Sequence, residues 1–243
     1  MTNFSEHISI PITVVQDHIK ERYPEQTWQK RHLHFSESMK YLVVNNLSKS
    51  FRNKKVLEEI SFTVNEGKIV AITGENGSGK TTLMKLITGW IKPDKGVISI
   101  TPRFGFCPQE PLLFPRLTVK ENIDYFITAY GREYLVREKN DKGADELMKK
   151  FAFAEYKDEK AGVLSGGTKQ KLNLVLSLLH DPDLMVLDEP YASLDWETYL
   201  RFWDYATARK QEGKSILIVS HFIYDQSFID ELYFIRNHRL ECA

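Results

Sequence analysis

Four short apolar runs punctuate the chain: "KIVAIT" at 68–73, "RFGFC" at 103–107, "DLMVLDE" at 183–189 and "SILIVSH" at 215–221. Each ends beside polar residues or glycine. Three of them are uninterrupted enough to be strands buried on both faces, as in a parallel sheet with helices above and below. A different rhythm precedes them. "YLVVNNL" (41–47) and "EISFTV" (59–64) alternate like half-exposed antiparallel strands, and "GVISI" (96–100) fits beside them.

Between Pro111 and His180 the period lengthens to that of helices. "TVKENIDYFITAYG" (118–131) puts Val119, Ile123, Phe126, Ile127 and Tyr130 on one face, with Thr118 as N-cap. "ADELMKKFAF" (144–153) predicts another helix. "SGGTKQKLNLVLSLLHDPD" predicts a third, starting on Ser165 and stopped by Pro182. There is no internal repeat. Residues 1–40 stand apart: "VVQDHIKERYPEQTWQKRHLHF" is basic and broken by Pro24, and Val15, Ile19 and Tyr23 form one short apolar stripe. Two readings stay open for this extension, a packed accessory helix or an arm that touches a partner or a membrane.

A chain of 243 residues can bury the core of one large domain or two small ones. Its zero formal net charge gives no sign of a large nucleic-acid-binding surface, so no nucleic acid is expected as a partner. Cys107 and Cys242 are too few for a disulfide framework or a zinc site and read as reduced intracellular thiols. The opening "MTNFSEHISIPITVV" lacks the basic start and apolar core of a secretory signal. No run approaches the roughly 18 apolar residues of a membrane span. Any membrane role is therefore expected to come through a partner.

The polar groups that follow the apolar runs are Gly74 onward, Gln109, Asp188 with Glu189, and His221. Ligands of open α/β sheets bind outside the carboxyl ends of the strands, which makes these groups candidates for one site. Gly74, Gly79, Lys80 and Thr81 satisfy the G-x-x-x-x-G-K-[ST] spacing of the P-loop. The loop "GENGSGKTT" (74–82) also brings Asn76, Gly77, Ser78 and Thr82 to the phosphates. Its glycines let backbone N–H groups turn toward phosphate oxygens, and the next helix points its positive end at them. Lys80 adds a point charge near the β- and γ-phosphates, and the Thr81 hydroxyl can ligate Mg²⁺. In "LMVLDEP", Asp188 is positioned to hold the metal and Glu189 to polarise an attacking water.

With "LSGGTKQKL" (164–172), "PQE" (108–110), "SLD" (193–195) and "SH" (220–221), the chain closely resembles the ATP-binding subunit of ABC transporters over residues 41 to 240. The resemblance implies a P-loop NTPase core, a mainly parallel sheet flanked by helices, within an ATP-binding domain spanning 41–243. An antiparallel β subdomain and an α-helical signature subdomain over roughly 111–180 would complete it. It implies ATP and Mg²⁺ as ligands. Phe51 would stack on adenine, with Tyr41 as the other candidate. Gln109 would touch Mg²⁺ or the attacking water, and His221 would hydrogen-bond the γ-phosphate. Ser165, Gly166 and Gly167 would cap the ATP of a second subunit in a head-to-tail dimer, with Asp195 lining the contact. Physically, a serine and two glycines at a helix start form a second phosphate cradle. Three positions depart from the family pattern: Thr168 stands where Gln is usual, Lys171 where Arg is usual, and Trp196 where Pro is common.

The implied function is an ATPase engine, a homodimer or a pair with a paralogue, peripheral to the cytoplasmic face of the membrane through separate permease subunits. The "LTVKENIDYFITAYG" stretch resembles exporters more than importers. Leu112, Leu113 and Phe114 are expected to be exposed and to receive a helix of the permease. The competing reading is a soluble ABC ATPase that assembles or remodels a non-membrane complex.

Overall fold

The computed structural model describes residues 39–52, 54–130, 140–223 and 225–243. The amino-terminal extension with Val15, Ile19 and Tyr23 thus lies outside the described residues. In chain order the elements are β1 (Lys40–Phe51), β2 (Lys54–Asn65), β3 (Ile69–Thr73), α1 (Lys80–Ile87), β4 (Lys95–Ile100), β5 (Phe104–Cys107) and α2 (Val119–Tyr130). There follow α3 (Asn140–Lys150), α4 (Gly166–Leu178), β6 (Leu184–Asp188), α5 (Trp196–Gln211), β7 (Ser215–Val219), β8 (Glu231–Arg236) and β9 (Arg239–Cys242).

The two hydrophobic rhythms separate into two sheets. The alternating segments β1, β2 and β4 pair antiparallel in the order β2-β1-β4. The continuous runs join a six-stranded sheet, β5-β6-β7-β3-β8-β9, parallel except for β9. Every residue of β3, β6 and β7 is buried, and neighbours along each strand face opposite cores. Ile69, Ala71, Met185, Leu187, Ile216 and Ile218 pack with residues of α2 to α5, Trp203 and Phe202 among them. Val70, Ile72, Leu184, Val186, Leu217 and Val219 pack against Leu83 and Met84 of α1 and against Leu42, Leu57 and Ile60 of the antiparallel sheet. A strand with both faces covered has no polar side to expose, which is why these runs carry no alternation.

Thr118 opens α2 as expected. Its hydroxyl accepts from Glu121 N at 3.1 Å, and the Glu121 carboxylate accepts from Thr118 N at 2.8 Å, a reciprocal capping box. Two helix ends differ from expectation. The second helix is α3 at 140–150, ending ahead of the expected 153, because Ala152 takes a left-handed φ of 52°. Likewise α4 stops at Leu178, short of Pro182. Asp181, which a following proline keeps out of the helical region, turns to a φ of 52° and donates its N–H to Leu178 O.

Candidate functional site

Four parallel strands end along one edge, and each delivers a polar group there. After β3 the chain turns through the loop 74–79 into α1; β5 leads to Gln109, β6 ends at Asp188 and Glu189, and β7 leads to His221. A cavity of about 420 Å³ lies at this edge. It is lined by Asn76, Gly77, Gly79, Lys80, Thr81, Thr82, Gln109, Asp188, Glu189 and His221, with Val56 of β2 as an apolar wall. Sequence pattern gave no signal for Val56, because only the tertiary approach of β2 brings it there.

The loop is built on Gly79. Its φ is 108°, a backbone conformation that L side chains rarely adopt, and a Cβ there would also crowd the Val56 carbonyl of β2 at 3.1 Å. Lys80 Nζ donates to the carbonyls of Gly74 (2.7 Å) and Glu75 (3.0 Å), which holds its charge over the loop. Ser78 Oγ is buried with no hydrogen-bond partner among the described residues. An unmet buried hydroxyl in this loop is a group that an oxyanion ligand could satisfy.

Glu189 and Asp188 sit in different electrostatic settings. Glu189 is buried, takes a φ of 49°, and donates its N–H to Val219 O at 2.8 Å. Its carboxylate accepts from Ser220 Oγ at 2.5 Å, from His221 N at 2.6 Å and from His221 Nδ1 at 2.8 Å. An ionised carboxylate has about four lone-pair sites, so three donors leave room for one more, such as a water. Asp188 is pushed up to about 6, first by burial and then by the adjacent Glu189 carboxylate, while Lys80 and Lys85 oppose the shift.

No group of three or more His, Cys, Asp or Glu side chains among the described residues could hold a metal ion. Among the oxygen-bearing side chains that line the cavity are the Thr81 hydroxyl, the Gln109 carboxamide and the Asp188 carboxyl. That set fits Mg²⁺, which takes hard oxygen ligands and usually only one or two carboxylates beside substrate phosphates.

Ser165, Gly166, Gly167 and Asp195 do not line this cavity. Ser165 caps α4, its hydroxyl accepting from Thr168 N at 3.1 Å. Gly167 packs so close to the 193–195 loop that a Cβ would stand 2.8 Å from Ser193 O. Asp195 caps α5 by accepting from Thr198 N at 2.8 Å; that bond, with the Thr198 hydroxyl and Lys171, holds its carboxyl down at about 2. The departures from the family pattern acquire local partners. The Thr168 hydroxyl lies 2.8 Å from Ser165 Oγ, and Lys171 makes one 3.2 Å contact with Asp195. Trp196 stacks on Tyr199 at 5.2 Å while two-thirds (66%) exposed.

Phe51 also stands outside the cavity lining, at the end of β1; the residue is 46% exposed, and Lys49 Nζ lies 5.4 Å from its ring centroid. Tyr41 is no candidate for a base stack: it is buried and its hydroxyl donates to Gly213 O, beside the amino end of β7, the opposite edge of the sheet. Of the three residues expected to be exposed ahead of α2, only Leu112 is (41%). Leu113 packs on the core, and Phe114 is half-buried against Tyr125 and tied to Asn122 through its backbone.

A family model described as ABC transporter matches residues 57–192. The Nod factor export ATP-binding protein I of Burkholderia lata is 36% identical, over 80% of this chain and 67% of its own length. The ABC transporter ATP-binding protein NatA of Bacillus subtilis is 31% identical, over 81% of this chain and 86% of its own. A solved structure titled as the ATP binding subunit of an ABC transporter superposes with a TM-score of 0.77 at 28% identity, covering 84% of this chain and 89% of that one.

Proposed function

The chain belongs to the ABC transporter family as an ATP-binding, ATP-hydrolysing subunit, and from that premise we propose that it dimerises around two ATP molecules and drives a separate membrane permease, as an exporter. The observation that carries this reading is the separation, within one chain, of the P-loop cavity from the Ser165–Gly167 lip. Each is an anion cradle, and one chain cannot close both on the same triphosphate. A second copy or a paralogue, placed head to tail, brings lip to cavity, with Asp195 at the contact. ATP then joins two protein surfaces, and loss of the γ-phosphate loosens them.

Within the cavity, the 74–82 loop binds the phosphates, with Lys80 beside the β- and γ-positions. Glu189 orients the attacking water and accepts its proton, held in place by Ser220 and His221. His221 reaches the γ-phosphate. Thr81, Gln109 and Asp188 would hold Mg²⁺, which neutralises phosphate charge when bound. Phe51, exposed beyond the cavity wall, takes the adenine. Residues 41–243 form the ATP-binding domain, with the helical part near 111–180.

No helix among the described residues is long and apolar enough to cross a membrane. In this reading the permease supplies the span and the chain sits on its cytoplasmic face. Export is favoured by the resemblance of the 117–131 stretch and by a relative named for Nod factor export. The test is the molar mass of the Glu189→Gln variant in light scattering. With ATP and Mg²⁺ it should double from 28.3 kDa; a monomer at saturating ATP, alone and with candidate paralogues, refutes the clamp. Co-purification with a polytopic membrane protein tests the permease, and a complex of soluble partners only would favour a remodelling ATPase.

A further inference from the structure

Three buried polar side chains behind the cavity have no part in the chemistry above. Asn173 and Gln170, one turn apart on α4, are 3% and 4% exposed, and the Cys107 thiol is fully enclosed. Burying a carboxamide is costly unless its N–H groups are met. Asn173 Nδ2 donates to the carbonyl of Pro108 at 2.8 Å and to Cys107 Sγ at 3.2 Å. Gln170 Nε2 donates to the carbonyl of Pro190 at 3.1 Å and, at 3.9 Å, to the same sulfur. Both acceptors are telling positions. Pro108 directly precedes Gln109, and Pro190 directly follows Glu189. A proline has no N–H, so its carbonyl is the one main-chain group by which such a residue can be hydrogen-bonded. The helix that opens at Ser165 is thereby bonded to two of the strand ends that build the cavity.

We propose that Asn173 and Gln170 are positioning residues for ATP hydrolysis: through the Pro108 and Pro190 carbonyls they hold Gln109 and Glu189 at a fixed offset from the Ser165 lip. This rests on the roles assigned above to Gln109 and Glu189. Apolar packing of α4, through Leu172 and Val175, would tolerate a small tilt of the helix. A hydrogen bond weakens steeply with length and angle, so the two carboxamides turn such a tilt into a displacement of both cavity residues. Cys107 is their shared acceptor, and burial pushes its thiol far above the ordinary range, so it stays protonated.

The experiment is ATPase kinetics of the full chain for Asn173→Leu and Gln170→Met, which keep shape and lose the donor, alongside ATP affinity and thermal melting. In each, kcat should fall about tenfold, the worth of one buried hydrogen bond. KM and Kd for ATP should stay within about twofold. Single-turnover rates should show the added effect of Gln170→Met vanish in a Glu189→Gln background and that of Asn173→Leu vanish in a Gln109→Ala background, as expected for residues that act through Glu189 and Gln109 respectively. Unchanged kcat in folded variants, or a loss fully additive with the substitution at the residue each one positions, overturns the inference. If Asn173→Leu does not fold, Gln170→Met carries the same test from the other arm. If Glu189→Gln itself turns over at the wild-type rate, the site reading fails and takes this inference with it. If Glu189→Gln is inactive and both variants are unimpaired, only the inference fails.

Discussion

His180 makes the stability of this chain depend on pH in a way that can be worked from its surroundings. It follows α4, is buried, and stacks on Tyr130 with ring centroids 4.1 Å apart. Its Nε2 lies 3.1 Å from Phe104 O, and a carbonyl only accepts, so the neutral ring carries its proton there. Burial drives its pKa down from 6.5 to about 4; Arg103 adds to the shift, while the Phe104 carbonyl, Asp181 and Asp183 oppose it. Between those two values the unfolded chain binds a proton that the folded chain does not, so stability rises with pH across the window and is lost as pH falls through it. At 1.36 kcal/mol per pKa unit the full effect is about 3 kcal/mol, of which about 2 kcal/mol is lost between pH 7.5 and pH 5. Carboxylates titrate in the same range, so the assay is a comparison. Urea unfolding at both pH values should show wild type losing about 2 kcal/mol more than His180→Gln, which keeps a donor for Phe104 O and cannot titrate. Equal losses in the two proteins would refute the buried, neutral histidine.

Three further outcomes follow from the site. Glu189→Gln should slow ATP turnover by about 10²–10⁴-fold, the range for a general base, as measured by phosphate release. Lys80→Ala should abolish tight ATP binding in equilibrium titration, because Lys80 is the one lysine that lines the cavity among the described residues and its charge is held over the loop. Gly167→Ala should push the 193–195 loop away, since its Cβ would meet Ser193 O at 2.8 Å; ATP-driven dimerisation should weaken in light scattering while ATP binding to the single chain is kept.

The periodicities carried most of the fold. Alternation separated β1, β2 and β4 from the doubly buried β3, β6 and β7, because the number of covered faces is written directly in the pattern. The strand-end rule places Gln109, Asp188, Glu189 and His221 at one site from sequence alone, because each stands at or just past the end of a parallel strand. Helix ends were less legible: Ala152 and Asp181 turn left-handed beyond α3 and α4, a conformation that alanine does not announce and aspartate signals only weakly. The exposure of Leu113 and Phe114 was misjudged because Asn122, a polar residue on an apolar helix face, pins that segment inward. The bonds from Asn173 and Gln170 to the two proline carbonyls depend on how α4 is set against β5 and β6. No local pattern records that register.

Glu189 holds its carboxylate in place with a backbone that most amino acids avoid. A φ of 49° at a residue with a side chain costs on the order of 1 kcal/mol relative to glycine. Replacing it by glycine would therefore relieve the turn after β6 and erase the chemistry in one step. At this position folding and catalysis favour opposite residues, and a search for thermally hardened variants would drift toward a sturdier, inert protein.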